Sequence, residues 1–233
     1  MNAGEEQAQS ARHLFSGTFY GVLSTHSVEH PGYPFGSVVP YVPDHAGNPL
    51  MLLSHLSQHT HNLDANGRCS LTVVEPGEGD VQTRARLNAL GDVSTVDPTE
   101  ATQRYFEYLP HTRVYHEQLG FRFYRFRPRR LHWNGGFATA RWFDASRILR
   151  TNPFDHQTEQ QILAQLNRSD AEAFRRTLAG EVDPDCDLAA VGIDAEGLDL
   201  RMDDRLRRIS LPREVGTVAE AQTVLAAMAG LDA

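Results

Sequence analysis

Apolar and polar positions alternate along much of the first 150 residues with the two-residue period of β-strands. The clearest case is residues 120–133, where aromatic residues interleave with arginines, as in a strand with one apolar and one polar face. Residues 50–53 are instead a continuous apolar run, typical of a strand buried on both faces. Further strands are predicted over residues 18–25, 35–42, 68–75 and 81–96, the last with a bend or bulge at Gly91.

Helices in this part of the chain are marked by their start signals. Ser57 is predicted to cap a helix over residues 58–66, with its hydroxyl accepting a hydrogen bond from an amide of the first turn. The segment Asp97-Pro98-Thr99-Glu100 combines a cap residue, a proline at the first helical position and an acid three residues after the cap. Helices are therefore expected over residues 58–66 and 98–109, with another over residues 4–16 and a polar loop over residues 111–118.

The character of the chain changes near residue 150. All eleven histidines lie at or before His156, and no aromatic residue follows Phe174. The fold class expected is α+β: an antiparallel, closed or partly open barrel domain over residues 1–150, followed by a small α+β domain over residues 151–233. In the second domain, helices are predicted over residues 158–166, 169–178 and 217–228, and strands over residues 188–193, 198–202 and 206–211.

Composition narrows the range of functions. The net charge of −8 disfavours non-specific nucleic-acid binding, so the interleaved arginines are better explained as the open face of a barrel strand. All 22 basic residues are arginine, and without lysine the chain cannot form the Schiff base of a pyridoxal enzyme. Cys69 and Cys186 are too few for a disulfide framework. Neither a membrane span of ~20 apolar residues nor a secretory signal is recognised, which predicts a cytoplasmic protein without a membrane partner.

Two features suggest a site for an anion. A buried strand that leads into the helix capped by Ser57 directs free amides and the positive end of the helix dipole to one place. The alternative is that Ser54 and Ser57 are only turn and cap residues. Arg84 and Arg86 are two residues apart on a predicted strand and so share one face, either as an exposed pair or as two charges directed at an anion.

Four segments, residues 36–41, 53–63, 86–91 and 135–140, resemble the haem-utilisation branch of the pyridoxamine-5'-phosphate-oxidase-like split-barrel proteins. Residues 155–233 resemble the small C-terminal domain that usually follows. The resemblance implies a homodimer of antiparallel split β-barrels with FMN, or haem in some members, at the dimer interface. Carried over by motif, the implied cofactor-binding residues are Ser37, Val38, Val39, Ser54, Ser57, Gln58, His59, Arg84 and Arg86.

The chain departs from that pattern at several positions. Ser37, Gln58 and His59 stand where flavin oxidases carry basic residues, and each charge-assisted bond lost is worth about 1.5–3 kcal/mol. Arg84 and Arg86 are expected to restore part of this. In the second domain, only the Asn of the family's His-Met-Asn-x-Asp-His signature is kept, at Asn167. No histidine follows His156, so the late haem ligand of the haem-degrading branch is not expected.

Three hypotheses follow. The first is a flavin-dependent oxidoreductase of unknown substrate, and the second is a haem-binding or haem-degrading protein. The third is a non-catalytic dimer with a degraded site. Pyridoxamine-phosphate oxidation is the least supported specific activity, and the sequence identifies neither catalytic residues nor a metal site. For haem, Arg125 and Arg127 are candidate partners of the propionates, and the candidate ligands are His55, His59, His61, His111, His116 and His132.

Overall fold

The alternating pattern of the first 150 residues folds into one curled antiparallel sheet. The computed structural model describes residues 3–136, 139–169 and 186–230. The chain divides into two compact units, Met1–Arg150 and Thr151–Ala233. Among the described helices, none has both the length and the apolar character needed to cross a membrane.

The first unit is built around an eight-stranded sheet. Its strand order is β2-β1-β5-β6-β7-β4-β3, with β8 paired to β7, and the pairs are antiparallel. The strands are β1 (Tyr20–His26), β2 (Pro34–Pro40), β3 (Val42–Pro43), β4 (Pro49–Ser54), β5 (Arg68–Val74), β6 (Arg86–Thr95), β7 (Phe121–Asn134) and β8 (Arg141–Asp144). The helices are α1 (Ala3–Gly17), α2 (Gln58–Ala65), α3 (Pro98–Tyr108), α4 (Arg113–Leu119) and α5 (Ala145–Ile148), with a 3₁₀ turn at Pro110–Thr112.

One face of this sheet is the core of the unit. Leu23, Leu71, Ala89 and Leu131 lie opposite one another on four successive strands, and each side chain is fully buried. Helix α1 adds Ala11 and other residues to the same apolar cluster. Because cross-strand partners point to the same side of a sheet, the alternate residues must lie on the opposite face, which we call the outer face.

The outer face carries large apolar side chains that remain exposed. Val38 is 73% exposed, and its partner Val22 on β1 is 41% exposed. The same cross-strand row continues through Thr72, Asn88 and His132 to Trp142 on β8, which is 49% exposed. Tyr20 and Leu90, on adjacent rows of this face, are 50% and 43% exposed.

The second unit is a small three-stranded sheet with helices. Its elements are α6 (His156–Ser169), β9 (Leu188–Ile193), β10 (Gly197–Met202), β11 (Arg205–Ser210) and α7 (Val218–Met228). The sheet order is β11-β10-β9, and an apolar cluster joins it to both helices. The buried guanidinium of Arg208 pairs with Asp199 at 2.9 Å and Asp194 at 2.6 Å, and these carboxylates raise its pKa. Two carboxylates thus compensate the charge of the buried guanidinium.

The predicted fold class is confirmed: the protein is α+β, with an antiparallel split-barrel sheet and an additional small domain. The bulge predicted at Gly91 is also confirmed, since the β6–β7 register shifts between Leu90 and Gly91. Helix α3 begins as predicted, with Asp97 accepting a hydrogen bond from the amide of Thr99 at 2.9 Å.

Some predicted elements are wrong in their extent or type. The strand expected over residues 81–96 begins only at Arg86. The residues before it form a turn, because the carboxylate of Asp80 accepts a hydrogen bond from the amide of Gln82 and its backbone carbonyl accepts one from the amide of Thr83. The loop expected over residues 111–118 is instead helical and ends at Gly120, whose φ of +69° lies in the left-handed region. Most of the helix predicted over residues 169–178 lies outside the described residues.

Candidate functional site

Ser37 and His59, two of the predicted cofactor-binding residues, are in contact. Ser37 lies opposite Leu23 and therefore faces the inside of the sheet, where helix α2 packs. The Nδ1 of His59 is 3.2 Å from the Ser37 hydroxyl. Burial lowers the pKa of His59, which favours the neutral imidazole at neutral pH. Its Nε2 is buried and has no hydrogen-bond partner among the described residues.

The start of α2 differs from the expectation for Ser57. Ser57 occupies the N-cap position, but its hydroxyl makes no capping hydrogen bond, so that part of the prediction is wrong. The backbone carbonyl of Ser57 accepts from the amides of Thr60 and His61 instead. The Ser54 hydroxyl accepts from the amide of Leu56 at 3.2 Å, and this is the turn role that the simpler interpretation gave it.

The remaining side chain at this helix start is also engaged within the protein. Gln58 donates through Nε2 to Asn62 at 3.1 Å, so its amide lies along the helix. Val38 and Val39 are divided between the two faces of β2, with Val39 2% exposed on the inside and Val38 on the outer face. Ser37, Ser54, Ser57, Gln58 and His59 thus lie around β2 and α2, whereas Val38 lies on the other side of the sheet.

Arg84 and Arg86 do not join this group within one chain. Arg86 lies on β6, three strands from β2, which corresponds to about 14 Å along the sheet. It also belongs to the outer face, because its neighbour Leu87 is fully buried on the inside. Arg84 lies before the strand, so the shared-face prediction for the two arginines is wrong. Their guanidinium groups donate to nearby backbone carbonyls of the 79–84 turn, including Gln82 at 3.1 Å.

A cleft of about 440 Å³ opens on the outer face, at the end of the sheet where β1 finishes and β2 and β5 begin. Its floor follows the cross-strand row Ser24, Ser70 and Leu90, and the next row places Arg68 opposite Asp92. Its exposed surface is mainly carbon, although most of its residues carry a polar group. The lining residues are Ser24, Thr25, His26, Pro34, Arg68, Cys69, Ser70, Leu90, Gly91, Asp92 and Arg129.

The bulge at Gly91 places one of the arginines of the cleft. Leu90 pairs with Arg130, whereas Gly91 pairs with Pro128, so Arg129 is the extra residue of the bulge. The local break in alternation leaves both Arg129 and Arg130 exposed. Arg129 reaches Asp92 at 2.7 Å, and this pair remains accessible, with 75% and 42% of the two side chains exposed.

The other polar groups of the cleft have distinct electrostatic roles. The Nε of Arg68 donates to Asn66 at 3.2 Å, which orients its guanidinium. Cys69 also borders the cleft, but its side chain lies in the inner apolar cluster, and burial, with a smaller contribution from Asp92, raises the pKa of its thiol to about 12. The cleft therefore combines apolar walls with two cationic side chains, one carboxylate and a single histidine, His26.

The residues that the sequence suggested for haem lie elsewhere. His55 and His116 place Nδ1 near the backbone carbonyls of Gly120 and Phe121, at 3.1 Å and 2.9 Å. The ring of His132 contacts the ring of Trp142, with 4.8 Å between centroids. Arg125 pairs with Asp44 at 2.8 Å, and Arg127 donates to Ser94 at 2.7 Å. Among the described residues that line the cleft, none comes from this set.

Sequence reasoning missed the cleft because five strands contribute to it, from segments separated by up to about 100 residues. One available signal was the alternation in residues 20–26, which places Tyr20, Val22, Ser24 and His26 on one face. That pattern shows that the four side chains share a side, but not that Arg68 and Arg129 meet them there.

Comparisons with known proteins extend over both units. The plant protein named Non-canonical heme oxygenase HOZ, chloroplastic, from Arabidopsis thaliana is 32% identical over 148 residues, which cover 60% of this chain and 46% of that protein. The chain thus spans less than half the length of this curated relative.

Two solved structures show the same fold at lower identity. A protein of unknown function from Agrobacterium tumefaciens superposes with a TM-score of 0.75 at 23% identity, covering 95% of this chain and 94% of its own. A heme binding protein from Mycobacterium smegmatis superposes with a TM-score of 0.57 at 24% identity, covering 96% of each chain. The model of the family described as CREG, beta-barrel matches residues 2–148, well over half of the sequence, and the chain therefore belongs to this β-barrel family.

Proposed function

We propose that this protein is a homodimer that binds haem in the outer-face cleft, with the second copy covering the open side. The observation that carries the proposal is the cleft itself: an apolar recess with two accessible arginines, next to exposed apolar side chains. The proposal includes the assignment to the haem-utilisation branch, a cytoplasmic location, and the division into a cofactor-binding domain over residues 1–150 and an accessory domain over residues 151–233.

The residues of the cleft fit the chemistry of haem. Haem is a planar apolar ring with two carboxylates at one edge, and its iron supplies redox chemistry when it is bound. The volume of about 440 Å³ is within the range of ligand pockets, and the open side allows a larger group to extend between two copies. Arg68 and Arg129 would hold the carboxylates, since guanidinium groups pair with carboxylates through two parallel hydrogen bonds.

The outer face supports the dimer. Exposed apolar side chains as large as Val38, Tyr20 and Trp142, grouped on one face of a sheet, are typical of a surface that another protein covers. A twofold axis would place the same face of the second copy against them, which is the commonest arrangement of soluble homo-oligomers. The names of the plant and mycobacterial relatives support haem as the ligand.

A haem titration followed by visible absorption tests the function, with the mass of the protein measured in parallel by sedimentation. We expect a saturable Soret band at one haem per chain and a dimer mass. The double variant R68Q/R129Q removes both cationic partners of the carboxylates and should weaken haem binding by at least about tenfold. The control is R113Q, because Arg113 is an exposed arginine on α4 outside the cleft. An unchanged spectrum on haem addition would reject haem as the ligand.

Haem turnover is a separate step of the test. With a reductant and oxygen, a haem-degrading enzyme loses the Soret band and releases an open-chain tetrapyrrole, whereas a binding protein keeps its haem. A stable complex would favour the non-catalytic alternative.

A flavin-dependent oxidoreductase remains the second candidate. The specific observation in its favour is the Ser57 hydroxyl, which is not used as a cap and lies at the start of α2 near the Ser37–His59 pair. A phosphate at this helix start would be favoured by the helix dipole. Arg84, in the turn before β6, and Arg86, on the outer face of β6, would have to come from the second copy. Quenching of FMN fluorescence on titration with protein, abolished in S57A, would support this candidate over haem.

A further inference from the structure

The cleft contains one histidine, at the end of the first strand. We propose that His26 is the side chain that ligates the iron of haem in this cleft, an assignment that rests on the proposed function. The imidazole would replace the late histidine ligand, which this chain lacks because no histidine follows His156.

The position of His26 follows from the alternation of β1. His26 shares its side of the strand with Val22 and Ser24, so its side chain belongs to the outer face and lines the cleft beside Pro34, its cross-strand partner. The ring is exposed, and neither of its nitrogens is engaged by another residue in the described part of the chain. A neutral imidazole nitrogen with a free lone pair is the usual protein ligand of haem iron.

The other nearby donor atoms are less suitable. Cys69 is a lining residue of the cleft, but its side chain belongs to the inner apolar cluster, and burial and Asp92 raise the pKa of its thiol to about 12, so it stays protonated at neutral pH. The Nε2 of His59 is itself buried on the inner side of the sheet, so a group on the outer face does not reach it. His132 shares the outer face, but it packs against Trp142 and does not line the cleft.

The charges around His26 suit the same ligand. Arg68 lies on β5, the strand next to β1, and Arg129 lies on β7, and both line the cleft and supply positive charge for two carboxylates. Asp92 neutralises part of that charge through its 2.7 Å contact with Arg129. Binding of the carboxylates would therefore compete with this exposed pair, which costs little to separate because exposed ion pairs are weak.

The test uses the full-length protein and haem itself. In H26A, we expect the Kd for ferric haem to rise by at least about tenfold, a change at least as large as that caused by removing an outer-shell partner of a ligand. The Soret maximum should also move, and millimolar imidazole should restore the wild-type position by replacing the missing ring. H26Q serves as a second variant that keeps a polar side chain, and the control is H61A, which removes an exposed histidine of α2.

The outcomes separate the ligand from the site. If wild-type protein binds haem and H26A and H26Q keep its spectrum and affinity, His26 is not the ligand, although haem binding stands. If wild-type protein does not bind haem, both the proposed function and the ligand assignment are rejected. A spectral change confined to the two His26 variants, reversed by imidazole and absent in H61A, supports the assignment. Thermal unfolding of each apoprotein shows that the variants are folded.

Discussion

At the scale of single residues, the contact between His59 and Ser37 joins two positions at which the resemblance to flavin oxidases implied basic groups. The Nδ1 of His59 and the hydroxyl of Ser37 are 3.2 Å apart, and neither side chain brings a permanent charge under α2. The sequence showed that the charges were missing, but only the register of β2 shows that Ser37 faces inward. The Ser37–His59 pair is therefore compatible with a neutral packing role. For this reason the proposed function is based on the outer-face cleft instead.

The lowered pKa of His59 predicts a change of stability with pH. Above the unfolded-state pKa of about 6.5, His59 is neutral in both states and contributes no difference. As the pH falls below that value, the unfolded chain binds a proton before the folded chain does, so the free energy of unfolding decreases until the folded pKa is passed. Urea unfolding of wild type and H59Q at about pH 7.5 and pH 5 measures this. The loss between the two values should be smaller in H59Q, and an equal loss would contradict the prediction.

The raised pKa of Cys69 predicts that its thiol reacts slowly with alkylating and disulfide reagents. Only the thiolate reacts with iodoacetamide or a disulfide reagent, and a pKa of about 12 leaves very little thiolate at pH 8. In the C186A variant, where Cys69 is the one remaining cysteine, labelling should be at least about a hundredfold slower than for a free thiol in unfolded protein. The same variant unfolded in urea is the control, because its exposed thiol should be labelled rapidly by the same reagent. Rapid labelling of the native protein would show that the thiol is ionised or exposed.

At the scale of elements, predictions succeeded where a local pattern has one structural solution. The cap at Asp97 and the bulge at Gly91 were both predicted correctly. Each depends on the identity of only a few adjacent residues, which the sequence shows directly. The strand expected over residues 81–96 failed, since its apolar content did not reveal that Asp80 would organise a turn before Arg86. The end of a strand depends on which residues of the neighbouring strand pair with it, and a single sequence does not show that pairing.

The bulge makes Gly91 the least replaceable glycine of the sheet. A Cβ at Gly91 would collide with the backbone oxygen of Arg127, so the β6–β7 pairing would have to shift. We expect G91A to lower the free energy of unfolding by about 1–3 kcal/mol, as other overpacked sites do. G36A is the matched control, because the nearest atom to its Cβ would be a methyl of Val22 at 3.4 Å. Equal unfolding midpoints in urea for G91A and G36A would contradict the prediction.

The two helix caps predicted from sequence differ in the structure and should differ in their effect on stability. Asp97 accepts from the Thr99 amide, and the hydrogen bonds from Thr99 hold the pKa of its carboxyl below the usual value. Ser57 makes no such bond. We expect D97A to lower the midpoint of thermal unfolding, and S57A to leave it almost unchanged, because only the first removes a capping bond. A calorimetric scan of both variants decides this, and a larger loss in S57A would reverse the assignment.

At the scale of the whole molecule, the alternation and the family resemblance predicted the α+β split barrel correctly. They did not predict where the open side of the barrel would bind a ligand. The reason is physical: residues that share a cleft on a curled sheet are neighbours across strands, and the register of five strands sets those neighbours. His26, Arg68 and Arg129 acquire a common role only through that register.

The same register predicts that dimerisation and haem binding are coupled. Val38 lies 73% exposed on the outer face, so V38E places a charge where the second copy would contact, and the dimer should dissociate. Because the second copy covers the open side of the cleft, the monomer should also bind haem at least about tenfold more weakly, although V38E changes no residue that lines the cleft. The control V28E alters a valine that is 52% exposed in the loop after β1. Sedimentation and haem titration of both variants measure the coupling. A monomeric V38E protein that binds haem as tightly as wild type would show that each chain holds its ligand alone, whereas a V38E dimer would place the interface elsewhere on the molecule.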